Sequence, residues 1–243
     1  MYGFGKWRII ATALQRLIAD KEDTKQVFII LQAMGGRSGI RSYKRFRKSA
    51  HAGKILTAKQ PLVSYLKDRD WLAAQPEGSL GRAYLDFTTI EQISADGLTQ
   101  ASVDSGGAGT ELTGNHLVFS ERQRDAHDLW HVVTGYGRDG LGELALLAFT
   151  WRQLGNPGIL MIIAMGYHAS MREAPQLKIG KAIREGFSMG RRTAWLPAAD
   201  WEYLLTRPIS EVRRTLNIKP PDAYNAMADE VREFEQAALA AAE

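Results

Sequence analysis

The sequence predicts an all-α protein, a multi-helix fold in which one helix-turn-helix carries a cluster of histidines and acids. Three observations lead there. Apolar residues recur at three- and four-residue intervals along most of the 243 residues, the pattern of helices with one buried stripe. Capping and helix-stopping residues punctuate the stripes where helix ends are expected. The apolar-polar alternation of half-buried strands is scarce throughout.

The first stripe, Ile9, Ile10, Leu14, Leu17 and Ile18, lies in WRIIATALQRLIAD. Asp23 and Thr24 then offer an N-cap for a helix through QVFIILQAM, and Gly35-Gly36 offers its stop, so the pair reads as a helical hairpin. From 37 to 115 the signal is mixed. QPLVSYLKDRDWLAAQ reads as one or two short helices, GRAYLDFTTIEQI as another, and DGLTQASVDSGGAGTELTGN as a loop. Helices resume over 121–134, 142–154, 157–172, 176–190, 198–206 and 208–216. A last amphipathic helix near 224–241 places Met227, Val231, Phe234 and Ala238 on one side. No internal repeat or linker interrupts the chain, so a single all-helical domain is expected over 1–243, with 219–243 as its acidic C-terminal helix.

Composition removes several kinds of chemistry. With no cysteine, disulfides, iron–sulfur clusters and thiolate zinc sites are excluded, and any metal must be held by imidazole and carboxylate. The N-terminal MYGFGKWRIIATALQRLIADKED has neither the apolar core of a secretory signal nor the acid-free composition of a transit peptide, so a cytoplasmic protein is expected. The longest apolar run, GILMIIAM at 158–165, falls well short of the roughly 20 residues that span a bilayer.

The net charge of +4 is unevenly spread: residues 37–59 hold eight Lys/Arg and no acid, whereas Asp222 to Glu243 holds six acids and one arginine. The basic stretch suits an anionic lipid surface, a phosphorylated ligand or nucleic acid, or is simply a solvated face. Only Tyr43 and Phe46 interleave its charges and no nucleic-acid fold accompanies it, so nucleic acid is not expected as a partner.

The chemistry concentrates in RDAHDLWHVVTGYGRDGLGELALLAFTW, residues 124–151. On a helix, four residues advance the chain one turn with about 40° of rotation, so His127 and His131 share a face with Asp128 on its flank. Glu143 is twelve positions beyond His131, about 18 Å along an unbroken helix. The helix cannot be unbroken, because Thr134 to Gly142 contains four glycines in nine residues, enough to end one helix and reverse the chain. Glu143 would then open the next helix and return toward the histidines. Imidazole and carboxylate together suit Zn²⁺, Fe²⁺, Mn²⁺ or Co²⁺ without choosing among them. The bland alternative is a pair of capping or hydrogen-bonded histidines. HDxxH lacks the glutamate of HExxH, so a zinc-peptidase reading has no general base where it needs one.

His127-Asp128-Leu129-Trp130-His131, followed after eleven residues by Glu143, resembles the signature of the coenzyme Q (ubiquinone) biosynthesis protein 4 family. DTKQVFIILQAMGGRS, PEGSLGRAYLDF and GRRTAWLPAADWEYLLTRPISEVRRTLNI are similar to other blocks of that family, and the resemblance covers most of 7–218. It implies an all-helical protein that tends to form homodimers. It also implies peripheral association with a membrane surface, here the inner membrane, and work beside other ubiquinone biosynthesis proteins on a polyprenylated aromatic lipid. The implied ligands and catalytic residues are His127, Asp128, His131 and Glu143, holding a divalent metal, zinc first, with iron, cobalt or manganese as alternatives. The implied activity is oxidative decarboxylation of a 4-hydroxybenzoate-type precursor with hydroxylation at the same carbon, C1. The alternative is a non-catalytic scaffold that holds the prenyl lipid for partner enzymes. Asp128 is either a ligand or the acceptor that orients a histidine.

Nearby residues have plainer readings. Arg138 and Asp139 suit a helix-capping turn, with contact to a polar head group as the alternative, Arg191 and Arg192 a solvated pair, with an anion site as the alternative, His168 a hydrogen-bonded core histidine rather than a ligand, and Trp130 and Trp151 the core. GILMIIAMGYHASM is apolar nearly all round, as suits either a core helix or one that faces lipid.

Overall fold

The computed structural model describes residues 3–19, 23–93 and 112–240. Apart from an isolated antiparallel bridge between Ser79 and Pro208, the regular structure among them is helical. In chain order the helices are α1 (Gly3–Ala19), α2 (Thr24–Phe46), α3 (Ala52–Leu56), α4 (Leu62–Lys67), α5 (Arg69–Ala73), α6 (Leu80–Ile90), α7 (Gly114–Asp125) and α8 (His127–Thr134). They continue as α9 (Gly140–Leu154), α10 (Pro157–Glu173), α11 (Gly180–Arg192), α12 (Trp201–Leu204), α13 (Ile209–Leu216), α14 (Asp222–Asn225) and α15 (Ala228–Ala240). A 3₁₀ turn at Leu196–Ala198 lies between α11 and α12. The all-α class is the one the periodicity predicts.

The core is built around α9. This helix crosses α11 at backbone distance, because α11 presents Gly186 and Gly190 to it: a Cβ at Gly186 would strike the Ala145 carbonyl, and one at Gly190 would stand 2.5 Å from the Phe149 carbonyl. The α1–α2 hairpin packs on α10, with Ala13, Ile30 and Ile162 buried between them. A larger cluster runs from Leu62 to Val231 and contains Leu129, Trp130, Ala145 and Phe149. α6 and α13 both lie against α8, so the helix that carries both histidines is braced from two sides.

Several boundaries differ from expectation. α2 does not stop at Gly35-Gly36 but runs on to Phe46, because Ser38, Ser42 and Phe46 continue a buried face at four-residue spacing. Gly35 is instead a contact point: a Cβ there would sit 2.6 Å from Asn156 Nδ2, which donates to the Leu31 carbonyl. Asp23 does not cap the backbone of α2; its carboxylate accepts from Gln26 Nε2 at 3.0 Å.

The helix expected over 121–134 begins at Gly114 and is broken at Ala126, so His127 is the first residue of α8. The C-terminal helix is likewise divided into α14 and α15. Most of the loop expected over 96–115, and the side chains of Phe234 and Ala238, lie outside the described residues. His168 is exposed rather than buried, because α10 turns Ile159, Ile162 and Ile163 inward and leaves Leu160, Tyr167 and Met171 facing out. Trp130 is buried as expected, whereas Trp151 is half-buried beside Phe187. No described helix is long and apolar enough to cross a membrane.

Candidate metal centre

His127 and His131 stand on consecutive turns of α8 with ring centroids 4.9 Å apart. At the end of α8, Gly135 takes φ +82°, a left-handed conformation that costs a glycine nothing, and its N–H closes on the His131 carbonyl at 2.8 Å. The chain then turns back through Tyr136 to Asp139. Asp139 caps α9: its Oδ1 accepts from Gly142 N at 2.9 Å, and its carbonyl accepts from Glu143 N at 2.9 Å. This reversal is the one the glycine run predicts, and it places Glu143 in the first turn of α9.

The result is a compact cluster. His127, His131 and Glu143 each offer a ligand atom within 4.8 Å of the others. Glu143 Oε1 lies 3.4 Å from His131 Nε2, a contact without the alignment of a hydrogen bond, so this buried nitrogen has no hydrogen-bond partner among the described residues. Such an orphan is rare in a folded interior, where buried polar atoms are nearly always paired.

The opposite nitrogens explain the orientation. His131 Nδ1 is 3.0 Å from the Tyr136 carbonyl and, facing an acceptor that cannot donate, must carry the proton. His127 Nδ1 is 3.2 Å from Asp128 Oδ1. Both rings therefore have Nδ1 engaged and Nε2 available, the arrangement that metal-ligating histidines show when an outer acceptor fixes their tautomer. Asp128 is buried against His127 and is not one of the three clustered ligands. Of the two roles open to it in the sequence, its place in the structure matches the orienting one.

Electrostatics favour ionised partners here. Burial opposes charge on Glu143, but His131 and His127, with Arg138 beyond them, outweigh it and hold the carboxyl below its ordinary range. Burial likewise opposes charge on His127, yet its hydrogen bond to Asp128 and the Glu143 and Asp128 carboxylates raise its pKa, with Arg138 acting in opposition.

The surrounding residues brace the site. Phe87 of α6 stacks on His131, centroids 5.7 Å apart and 22° between planes. Tyr84 lies buried nearby with its hydroxyl unpartnered among the described residues, its pKa raised mainly by burial and then by Asp128 and Asp125. Arg213 of α13 donates to the Val133 and Val132 carbonyls at 3.0 Å each, satisfying the end of α8. Tyr224 reaches the glycine turn from the far end of the chain, accepting from Gly137 N at 3.0 Å and donating to Asp139. Sequence reasoning named none of these four, since no local pattern ties them to the motif. Asp139 has the capping role expected of it, and Arg138, Arg191 and Arg192 are exposed.

Two imidazoles and a carboxylate with converging donor atoms, on a scaffold whose described residues are all helix or connection, define a class: helical proteins with a cluster of donors of the kind that could hold a cation. The chain belongs to the family described as Coenzyme Q (ubiquinone) biosynthesis protein Coq4, whose model matches residues 3–222. The family is one of ubiquinone biosynthesis.

Similar relatives include the mitochondrial ubiquinone biosynthesis protein COQ4 homolog of Mus musculus, 25% identical over 200 residues, which is 80% of this chain and 72% of the relative. The mitochondrial ubiquinone biosynthesis protein coq-4 of Caenorhabditis elegans is 26% identical over 79% of this chain and 82% of its own length. COQ4 of Yarrowia lipolytica is 30% identical over 73% of this chain and 66% of its own. A crystal structure from Nostoc punctiforme, of a protein named as a candidate for ubiquinone biosynthesis, superposes with a TM-score of 0.65 at 21% identity, covering 89% of this chain and 98% of that one. At that identity the likeness speaks for the fold alone.

Proposed function

We propose that the protein is a metal-dependent enzyme of ubiquinone biosynthesis that removes the ring carboxylate of a polyprenylated 4-hydroxybenzoate-type precursor and places a hydroxyl on the same carbon, C1. The observation that supports this most is the pair of imidazoles with both Nδ1 atoms engaged, both Nε2 atoms available, and Glu143 beside one of them. His127, His131 and Glu143 would hold a divalent cation, with zinc, iron, cobalt or manganese all compatible with these donors. Bound there, the cation would supply Lewis-acid stabilisation of negative charge and, if redox-active, access to dioxygen.

The chain's own residues do the remaining work. Asp128 and the Tyr136 carbonyl fix the two rings, and Phe87 holds His131 in plane. The half-exposed Glu143 leaves the cluster open on one side to an aromatic acid. The reaction balances when one oxygen atom enters C1 for each carbon dioxide released. Dioxygen supplies it, and its second atom leaves as water with two electrons and two protons from a reductant.

The prenyl tail needs an apolar bed. A groove of about 330 Å³ is lined mostly by apolar residues, Leu160, Ile163, Ala164, Tyr167 and Ile183, with Gly180 and one charged side chain, Arg184, completing it. Gly166 of the same helix rests on Leu144, the residue after Glu143, so α10 passes close to the cluster. This exposed apolar face also favours the second reading, a scaffold that presents the lipid to other ubiquinone biosynthesis proteins. Together with basic residues 37–59 it supports peripheral placement at a membrane, and a homodimeric, single-domain protein fits both readings.

The decisive assay follows release of labelled carbon dioxide from a ring-carboxyl-labelled prenylated 4-hydroxybenzoate, using metal-loaded protein with dioxygen and a two-electron reductant. Turnover that disappears in His127→Ala and His131→Ala supports the enzyme. Full turnover in His131→Ala overturns the cluster as the seat of the chemistry, and no turnover in the loaded unsubstituted protein that still binds the lipid transfers the case to the scaffold.

A further inference from the structure

We propose that Tyr224, from the C-terminal end of the chain, is a positioning residue that sets where Glu143 arrives beside the histidines; the inference rests on the metal reading above. Tyr224 lies just past the last residue matched by the family model, 222. Its hydroxyl bridges the two ends of the glycine turn, accepting from Gly137 N at 3.0 Å and donating to Asp139 Oδ2. The other oxygen of that carboxylate accepts from Gly142 N at 2.9 Å, and the Asp139 carbonyl accepts from Glu143 N at 2.9 Å. One hydroxyl thus fixes the residue from which the first turn of α9 is hung. The adjacent Tyr136 carbonyl accepts a hydrogen bond from His131 Nδ1 at 3.0 Å, so a candidate ligand from each helix is referenced to the same short turn.

The phenol is itself anchored. Glu185 of α11 accepts from Ala223 N at 2.8 Å and from Tyr224 N at 3.2 Å. The Tyr136 ring meets the Tyr224 ring edge-on at 5.5 Å, and Pro221 lies 3.3 Å from the point a Cβ on Gly135 would occupy. At Gly137 a Cβ would collide with the Tyr224 hydroxyl, so the turn and the tyrosine fit only as a pair. None of these contacts is needed to bury the core, since the ring of Tyr224 would fill the same space without its oxygen. What the oxygen adds is the fixed separation of Gly137 from Asp139.

Tyr224→Phe keeps the ring and removes that tie. Groups that hold a metal's ligands in place are worth about 10- to 100-fold in affinity when lost, and the expected loss here is about 10-fold or more. The probe is cobalt(II), titrated into full-length metal-free protein and read by its visible ligand-field band, whose intensity reports the number and symmetry of ligands. Ile55→Val, a buried change in the separate cluster of Phe46, Ala52 and Phe119, serves as a control for stability alone, with melting temperatures measured for both variants.

The inference predicts weaker binding and an altered band in Tyr224→Phe, with the native band retained in Ile55→Val. Cobalt bound by Tyr224→Phe with native affinity and spectrum overturns the positioning role while the metal reading stands. Equal losses in the two variants at equal melting temperature reduce the effect to stability and also overturn it. Failure of the unsubstituted chain to bind cobalt removes the metal reading and this inference together.

Discussion

A single methyl group at Gly142 tests whether the glycine turn is what brings Glu143 home. The ideal Cβ of an alanine there would collide with the Gly137 carbonyl oxygen, 2.7 Å from its carbon and 2.9 Å from the Gly137 nitrogen. Carbon atoms rest at about 3.5–4.0 Å, so the two ends of the turn must separate by about 1 Å. All three obstructing atoms are backbone, and no side-chain rotation relieves them. Overpacking of this kind costs about 1–3 kcal/mol, which in a chain of this size lowers Tm by roughly 2–12 °C.

The functional consequence is larger than the stability loss. Metal–ligand distances hold to about 0.2 Å, so a start of α9 displaced by several times that amount takes Glu143 out of the set. Gly39→Ala is the matched opposite: nothing among the described residues lies within 4 Å of a Cβ there, within α2, and it should stabilise by about 0.5–1 kcal/mol. Thermal unfolding and cobalt(II) titration of both variants check the pair. Gly142→Ala that melts and binds as the unsubstituted protein does would refute the account of the turn.

Three further outcomes follow from the same geometry. Asp128→Asn, which keeps the shape beside His127 but weakens its hold on Nδ1, should lower cobalt affinity about 10- to 100-fold and less than His131→Ala does; equal losses would make Asp128 a ligand. Metal affinity should fall on acidification, and the sign is set by His127: its raised pKa keeps the proton competing with the cation above the ordinary imidazole range. Glu143, held below its ordinary range, stays ionised and is not limiting, and a titration of affinity against pH with a midpoint in the carboxylate range would reverse that assignment. Glu143→Asp keeps the charge but is one methylene shorter, and calorimetry should find it nearly as impaired as Glu143→Gln.

The helical class was legible because period and punctuation act locally. Breaks set by distant packing were not: Gly35-Gly36 reads as a stop, yet the buried face of Ser38, Ser42 and Phe46 carries α2 through it, and nothing at Ala126 announces the start of α8. His168 failed for a related reason. Apolar residues surround α10 in the sequence, but a helix at the rim of a packed body buries only one side, and His168 is on the other. The convergence of His127, His131 and Glu143 was legible because glycine density is itself a local signal. Tyr224 was not, since it acts on Asp139 from 85 positions away.

The cluster also draws on the two helix ends that meet there, and the magnitudes say which effect governs. His131 lies in the last turn of α8 and Glu143 in the first turn of α9, so the negative end of one helix dipole would face a bound cation while the positive end of the other supports a carboxylate. Each such term is worth about 0.3–1 kcal/mol, enough to favour ionised Glu143 but less than one decade of affinity each at about 1.4 kcal/mol per decade. Loss of an orienting contact alone reaches one to two decades. Placement therefore outweighs field. This is why a charge-preserving change at Glu143 should behave like a charge-removing one, and why the hydroxyl of Tyr224, which carries no charge, should matter to the cation at all.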